Sequence, residues 1–252
     1  MISIMKYNYT IEVAHQDVDR TRRWRLHNME NALLQVAGDV ANSLGFGTDA
    51  LLELGYTWIL SRMEISMTRL PKHGEKVTFE TWIENNAHML STRNYRLYSG
   101  EDTTGEMIGK VSSIWAVLDL KTRQVVNVFD LPMFAGSVDG ERLDMERTAR
   151  LRSTNEYDGQ RGYTIVYSDI DYNGHCNSCK YMEHMTDSCR PAFMDEQNPF
   201  HLSLHYQKEV MEGEQVTIGY NTGTTDEGKG YVQWQMKNSQ GETSAMARYI
   251  QL

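Results

Sequence analysis

Apolar positions in the first half of the chain change from a two-residue to a helical period. Residues 7–13 alternate and are rich in β-branched and aromatic side chains, which predicts a strand. Apolar residues then recur at spacings of three and four, which predicts one face of a helix ending near Gly45. These residues are Met29, Leu33, Val36, Val40 and Leu44. Segments 58–67, 76–83, 91–98 and 107–118 then indicate strands separated by turn-rich stretches.

The same order of elements returns in the second half. Residues 9–13 and 17–19 resemble residues 163–167 and 169–171, and Gly-Glu-Lys-Val-Thr at 74–78 resembles Gly-Glu-Gln-Val-Thr at 213–217. Matches in a fixed order indicate two copies of one structural unit. We therefore predict an N-terminal domain over residues 1–145 and a C-terminal domain over 146–252, with their junction in the polar stretch from about 138 to 159.

The helix of the second copy is shorter than that of the first. Cys179, Met182, Met185 and Cys189 form its apolar face, and Pro191 closes it. A helix with one apolar stripe must be covered, and an antiparallel sheet curled around it would do so. The order of a strand, a helix and several antiparallel strands occurs twice and predicts an α+β fold. This fold is the tandem (double) hotdog, in which a curved antiparallel β-sheet wraps a long helix in each unit.

Composition and charge narrow the functional classes. The 252 residues are 40% apolar and 23% charged, which is typical of a globular protein, and the net charge of −9 argues against binding to nucleic acid. We expect neither a signal peptide nor a membrane span, and hence a cytosolic protein. Two basic clusters could serve an acidic partner, although a charge run is more often a solvated face. They are Arg20, Arg22, Arg23 and Arg25, and then Arg147, Arg150 and Arg152.

One set of polar residues occurs only in the second copy. Asp171, Asn173 and His175 stand at every second position directly before the second helix, where backbone N–H groups and the helix dipole suit a developing oxyanion. Their counterparts 152 residues earlier are Asp19, Thr21 and Arg23, and at an offset of 139 Glu209 corresponds to Leu70. Residues needed only for folding should occur in both copies. We therefore predict one catalytic site, in the second copy, with the first copy binding substrate.

Each of these residues also has a structural interpretation. Asp171 could cap a helix or form a turn, Asn173-Gly174 is a common turn pair, His175 alone is more often structural, and Glu209 could be an exposed strand residue. Zinc at His175-Cys176-x-x-Cys179 would need further ligands, for which only the remote His184, His201 and His205 remain.

The three cysteines fall within residues 176–189, where a disulfide framework is not expected. A Cys176–His175 nucleophile pair is conceivable, but adjacent side chains before a helix tend to diverge. No phosphate loop or other cofactor motif is present, so we expect neither a cofactor nor a metal.

The chain resembles the acyl-acyl-carrier-protein thioesterases, the family that includes the plant plastid enzymes. In the first half the resemblance is carried by residues 19–21 (Asp-Arg-Thr), 58–63 (Trp-Ile-Leu-Ser-Arg-Met), 71–74 (Pro-Lys-His-Gly), 81–82 (Thr-Trp), 112–115 (Ser-Ser-Ile-Trp) and 120–123 (Leu-Lys-Thr-Arg). In the second half it is carried by residues 168–177 (Ser-Asp-Ile-Asp-Tyr-Asn-Gly-His-Cys-Asn), 180–181 (Lys-Tyr) and 206–209 (Tyr-Gln-Lys-Glu).

The resemblance implies hydrolysis of a fatty acyl thioester on acyl carrier protein, which ends fatty acid synthesis. The catalytic residues of the family fall on Asp171, Asn173, His175 and Glu209. Many plant members have a cysteine directly after that glutamate, where this chain has Val210. The plant transit peptide is missing, which fits a bacterial cytosolic member. No membrane partner is expected, and a homodimer is compatible with the sequence.

We hypothesise direct hydrolysis without a metal, in which Glu209, helped by His175, positions and deprotonates a water. Asn173 holds the water or the carbonyl, Asp171 fixes the geometry, and N–H groups of residues 174–177 hold the oxyanion. Asp171 could instead be the base or a transient nucleophile. Met63, Met67 and Met89 would suit an acyl tunnel in the first copy, although core filling is the commoner role of a methionine.

Alternatives to this function remain on the same scaffold. They are an acyl-CoA thioesterase of the hotdog superfamily, a hydratase, and an acyl-binding protein without catalysis.

Overall fold

The computed structural model describes residues 5–148 and 150–252, which form two compact units. The first unit consists of residues through Arg25, Met29–Met63 and Leu70–Glu146. The second consists of Leu26–Asn28, Glu64–Arg69 and Arg147–Leu252. No helix in the described part of the chain is long and apolar enough to cross a membrane.

The first unit is a sheet with one long helix. Its elements are β1 (Tyr7–Glu12), α1 (Leu26–Ser43), α2 (Thr48–Glu53), β2 (Tyr56–Met67), β3 (Lys76–Ala87), β4 (Leu90–Ser99), β5 (Glu106–Asp119) and β6 (Val125–Val126), although the first three residues of α1 and the last four of β2 belong to the second unit. The strand order is β1-β3-β4-β5-β2, and β1 with β3, β3 with β4 and β4 with β5 pair antiparallel. The expected strands and long helix are present. Helix α2 was not expected, because its six residues are too few to establish a period.

Helix α1 buries the apolar face that its sequence period predicts. Met29, Leu33 and Val36 are fully buried, and the helix ends two residues before Gly45, which has a φ of 81°. The Tyr95 hydroxyl of β4 donates to the Leu33 carbonyl across 3.2 Å, and burial raises the pKa of Tyr95 to about 12. The sheet therefore covers the helix and holds it by a buried hydrogen bond.

The second unit repeats this plan with a shorter helix. Its elements are β7 (Gly159–Thr164), α3 (Ser178–Ser188), β8 (Phe200–Tyr206), β9 (Gln215–Thr224), β10 (Gly230–Lys237) and β11 (Thr243–Gln251). The strand order is β8-β11-β10-β9-β7, each neighbouring pair being antiparallel. Helix α3 contacts β7, β9, β10 and β11, and Cys179, Met182 and Met185 on its apolar face are buried.

Two details of the second unit and one of the first differ from the sequence-based expectation. Strand β7 ends at Thr164 because a 3₁₀ turn occupies Tyr167–Asp169. Strand β8 ends at Tyr206, so Glu209 lies in the connection to β9 and is not a strand residue. In the first unit, Met89 is 48% exposed between β3 and β4 and does not share the burial of Met63 and Met67.

The described residues between β6 and β7 form no further strand, and they are held by buried side chains and hydrogen bonds. Leu143 is buried in the first unit, where the Glu141 carbonyl accepts from the Trp82 indole at 2.7 Å. In the second unit Leu151 is buried and the Thr154 amide donates to Gln235 at 2.9 Å.

Candidate active site

A hydrogen-bonded turn carries three of the expected site residues. The Asp171 carboxylate, through Oδ1, accepts from the amides of Asn173 at 2.8 Å and His175 at 3.3 Å. The Asp171 amide donates to the His175 carbonyl at 2.8 Å, and Gly174 has a φ of 81°, a conformation that favours glycine. Asn173 and His175 are half-buried on this turn. Asp171 is therefore the side chain around which the turn folds.

The first unit contains the same turn without the candidate chemistry. Asp19 Oδ1 accepts from the amides of Thr21 at 2.8 Å and Arg23 at 3.3 Å, and the Asp19 amide donates to the Arg23 carbonyl at 2.8 Å. Arg22, at the position of Gly174, has a φ of 63°. The offset of 152 residues found in the sequence therefore aligns two identical backbone turns. The aspartate at this place is therefore accounted for by the turn itself.

Glu209 lies beside His175, although 34 residues separate the two in the chain. His175 Nε2 is 3.3 Å from Glu209 Oε2, and their side chains are 22% and 39% exposed. A base that must receive a water molecule needs such partial exposure. In the first unit the place of Glu209 is taken by Leu70 and that of His175 by Arg23. The imidazole–carboxylate pair occurs only in the second unit.

Two contacts hold the segment of Glu209 against the start of α3. The Cys176 amide donates to the Val210 carbonyl at 2.8 Å, and the buried Tyr181 hydroxyl donates to the Lys208 carbonyl at 3.3 Å. The residues on both sides of Glu209 are thus tied to the helix. The sequence pattern assigns Tyr181 no role in the site, because an aromatic residue at a helical position usually fills the core.

The backbone amides of residues 174–177 do not form the expected oxyanion hole. Gly174 N donates to Asp171 O, His175 N to Asp171 Oδ1, Cys176 N to Val210 O, and Asn177 N to Asp169 O. The expectation was wrong because the turn and the neighbouring loop use all four donors. None of these four amides is left for a developing oxyanion, and Asn173 carries an amide side chain on this turn.

The Cys176 thiol is unsuited to nucleophilic attack. The residue is 5% exposed, and burial, together with the nearby carboxylates of Asp169 and Asp171, raises the pKa of the thiol to about 12. Cys179 is also buried, on the apolar face of α3. In residues 5–148 and 150–252, no three His, Cys, Asp or Glu side chains are grouped as a metal site requires.

Comparison with known proteins places the chain in one family. The acyl-ACP thioesterase N-terminal domain matches residues 4–131, and the acyl-ACP thioesterase C-terminal domain matches residues 152–250. A chloroplastic acyl-[acyl-carrier-protein] hydrolase of Cuphea viscosissima is 25% identical over 90% of this chain and 57% of its own length. A chloroplastic oleoyl-acyl carrier protein thioesterase of Arabidopsis thaliana is 23% identical over 88% of this chain and 65% of its own. The chain thus spans less than two thirds of either relative.

Solved structures show the same fold over nearly the whole chain. An acyl-ACP thioesterase from Bacteroides thetaiotaomicron is 27% identical, with a TM-score of 0.83 and coverage of 98% of this chain and 97% of the other. The 12:0-ACP thioesterase from Umbellularia californica is 20% identical, with a TM-score of 0.80 and coverage of 98% and 93%. The predicted tandem hotdog fold is confirmed. The chain, matched by models of both domains, belongs to the acyl-ACP thioesterase family.

Proposed function

We propose that this chain hydrolyses the thioester between a fatty acyl chain and acyl carrier protein, releasing a free fatty acid and the carrier thiol. The observation that carries the proposal is the 3.3 Å contact between His175 Nε2 and Glu209 Oε2, which the first unit lacks. Family membership supports the substrate class.

In the proposed reaction Glu209, with His175 beside it, takes a proton from water. The water oxygen then bonds to the thioester carbonyl carbon, and the Asn173 side-chain amide donates to the carbonyl oxygen as negative charge develops. When the carbon–sulfur bond breaks, the departing thiolate receives the proton held by the His175–Glu209 pair. A positioned base contributes about 10²–10⁴-fold and one oxyanion donor about 10²–10³-fold, so several residues share the rate enhancement.

Asp171 has a positioning role in this scheme. Its Oδ1 already accepts two amide hydrogens, and Asp19 makes the same two contacts in the unit without the imidazole–carboxylate pair. The turn therefore occupies this carboxylate oxygen, which supports a positioning role for Asp171.

The experiment that tests the function is thiol release from medium- and long-chain acyl carrier protein and from the matched acyl-CoA thioesters. Glu209→Gln and His175→Ala should each lower kcat at least a hundredfold. Glu227→Gln is the control, because Glu227 is an exposed glutamate whose ion pair is with Lys229. Release only from acyl-CoA would favour an acyl-CoA thioesterase. Tight acyl binding without any release would favour a non-catalytic acyl-binding protein.

The first unit binds the acyl chain in this proposal. Four aromatic side chains cluster there, with ring centroids 4.8 to 6.4 Å apart: Phe46, Trp58, Trp115 and Phe134. Trimming a ring that the chain contacts should make room for longer chains. Phe134→Leu should shift the preferred chain length upward, whereas Phe129→Leu, at a side chain that is 61% exposed, should leave the preference unchanged.

Arg20, Arg22, Arg23 and Arg25 form the proposed docking surface for the acidic carrier protein. Arg22 and Arg25 are exposed. Arg23 forms an isolated antiparallel β-bridge with exposed Lys72, which brings the loop of Lys72 next to the arginines. In a chain of net charge −9, such a local basic patch is what would attract an acidic partner.

Reversing charges on this surface tests the docking. Arg22→Glu with Arg25→Glu should raise KM for acyl carrier protein about tenfold at low salt and leave acyl-CoA kinetics unchanged. Arg150→Glu with Arg152→Glu, in the other basic cluster, is the matched control. A larger rise in KM from the control pair would indicate that the carrier protein docks on the cluster of Arg150 and Arg152 instead.

A further inference from the structure

The carboxylate of Asp169 is buried next to the candidate catalytic turn. Asp169 is 3% exposed, and its Oδ2 accepts from the Val166 amide at 3.0 Å. Its Oδ1 lies 3.2 Å from His184 Nε2, at an orientation outside hydrogen-bonding geometry. Burying a carboxylate is costly unless it is paired, and the His184 imidazole is a polar side chain placed directly beside it.

His184 fixes this contact from the middle of α3. Its side chain is 13% exposed, and its ring lies 4.7 Å from that of Tyr163 at the end of β7. The ring is therefore held on one face by Tyr163 and at its edge by Asp169. This arrangement joins the helix to the strand and to the 3₁₀ turn that precede the site.

Asp169 also closes the segment that carries the site residues. Its carbonyl accepts from the amide of Asn177, the N-cap of α3, at 2.8 Å. Asp171, Asn173 and His175 lie between these two hydrogen-bonded positions. Movement of Asp169 relative to α3 would thus be transmitted to the turn through both ends of the segment.

The first unit has the backbone part of this arrangement and lacks the side-chain part. At the offset of 152, Asp17 corresponds to Asp169, and its carbonyl accepts from the Arg25 amide at 2.9 Å. The same offset aligns the first residues of the helices, Leu26 and Ser178, and places Ala32 where the second unit has His184. The aspartate–histidine pair occurs, like His175 and Glu209, only in the unit with the candidate site.

We propose that Asp169 and His184 are positioning residues that hold the Asp171–His175 turn against α3 for thioester hydrolysis. The proposal rests on the function proposed above. Catalytic groups must be held to within a fraction of an ångström, and buried partners that lock the supporting backbone provide this. Neither residue touches the substrate.

A double-mutant cycle with two readouts tests the pair. Asp169→Asn keeps an acceptor for Val166 N and removes the charge, and His184→Phe keeps the ring beside Tyr163 and removes the nitrogen. Each should lower kcat 10- to 100-fold with KM within threefold, and the double variant should be no slower than the slower single variant. His184→Gln, which restores a nitrogen donor, should recover part of kcat. Asp17→Asn is the control and should stay within twofold of the wild type.

Hydrogen exchange of the amides of residues 173–177 is the second readout and requires no activity. These amides should exchange at least tenfold faster in His184→Phe than in the wild type. The proposed role of the pair would be overturned by unchanged hydrogen exchange or by unchanged kcat in folded single variants. It would also be overturned if the losses of kcat in the two single variants multiplied in the double variant. Absence of hydrolysis by the wild type would overturn the proposed function instead, and exchange alone would then decide whether the pair holds the turn.

Discussion

Asp19 and Asp171 make the same pair of hydrogen bonds in the two units. Each carboxylate accepts from the amide two residues ahead at 2.8 Å and from the amide four residues ahead at 3.3 Å. The turn is thus a shared feature of the repeated unit, and the proposed chemistry depends on the side chains that the turn carries. His175 and Glu209 distinguish the second unit, whereas the aspartate does not.

Asparagine should replace Asp171 with little loss. The Asn side chain keeps an oxygen acceptor for the amides of Asn173 and His175, so the turn should form. We expect Asp171→Asn to retain at least a tenth of the wild-type kcat and Asp171→Ala to lose at least a hundredfold. Steady-state kinetics on acyl carrier protein thioesters measure both.

The same substitution in the other unit is the control for this prediction. Asp19→Asn should leave kcat unchanged, because the Asp19 turn carries neither the imidazole nor the second carboxylate. A thousandfold loss in a folded Asp171→Asn protein would show that the charge of Asp171 takes part in the reaction as base or nucleophile.

Removing the Tyr181 hydroxyl should loosen the segment of Glu209. Tyr181→Phe loses the 3.3 Å hydrogen bond to the Lys208 carbonyl, which costs about 1 kcal/mol of stability. We expect kcat to fall about three- to tenfold, since Glu209 then samples positions away from His175. Tyr95→Phe removes a similar bond, to the Leu33 carbonyl in the first unit. If both variants lose stability and neither loses kcat, Tyr181 does not position Glu209.

The sequence predicted the parts of the fold that repeat a period or a motif. The apolar residues of α1 recur at spacings of three and four along a helix of 18 residues, and apolar and polar residues alternate in the strands. Each pattern therefore predicts the element that contains it. The difference between the two copies also indicated His175 and Glu209, whose contact spans 34 residues, because both residues occur in one copy and are replaced in the other. The short α2 and the end of β7 at Thr164 could not be predicted from so few residues.

The donors and partners within the site could not be obtained from the sequence. The amides of residues 174–177 looked suited to an oxyanion because they begin a helix, but tertiary contacts to Val210 O and Asp169 O use two of them. In the sequence, Asp169 stands out only as part of the segment repeated in the two copies. Its value as a partner depends on His184, whose ring direction is set by packing against Tyr163.

Cys176 should be dispensable and unreactive. With a pKa of about 12 and 5% exposure, its thiol is protonated and shielded at neutral pH. Cys176→Ala should keep kcat within threefold, and iodoacetamide at pH 7.5 should not modify Cys176 in the folded protein. Peptide mass spectrometry locates any modification, with half-buried Cys189 as the internal comparison. Rapid alkylation of Cys176 that abolishes activity would restore the cysteine nucleophile as a candidate.

A buried carboxylate in the second unit should make stability depend on acid pH. Burial pushes the pKa of Glu64 up, but hydrogen bonds from side chains around it prevail and lower the pKa to about 2. The donors are His201, Ser203 and Thr148, and the His205 imidazole lies nearby. His201 Nε2 lies 2.8 Å and His205 Nε2 3.9 Å from the carboxylate oxygens, and Ser203 and Thr148 each donate at 2.7 Å. The charged form of Glu64 is therefore favoured in the folded state.

Because the folded pKa of Glu64 lies below the unfolded one, its contribution to stability is present above about pH 4.5 and is lost as the pH falls towards 2. A lowering from 4.5 to about 2 corresponds to about 3 kcal/mol. Glu64→Gln removes the titrating group, so its free energy of unfolding should fall less than that of the wild type between pH 5 and pH 2. Urea unfolding across this range measures both proteins, and Glu227→Gln, at an exposed position, controls for loss of one charge. Parallel pH curves for wild type and Glu64→Gln would mean that the carboxylate is not held in its charged form by these donors.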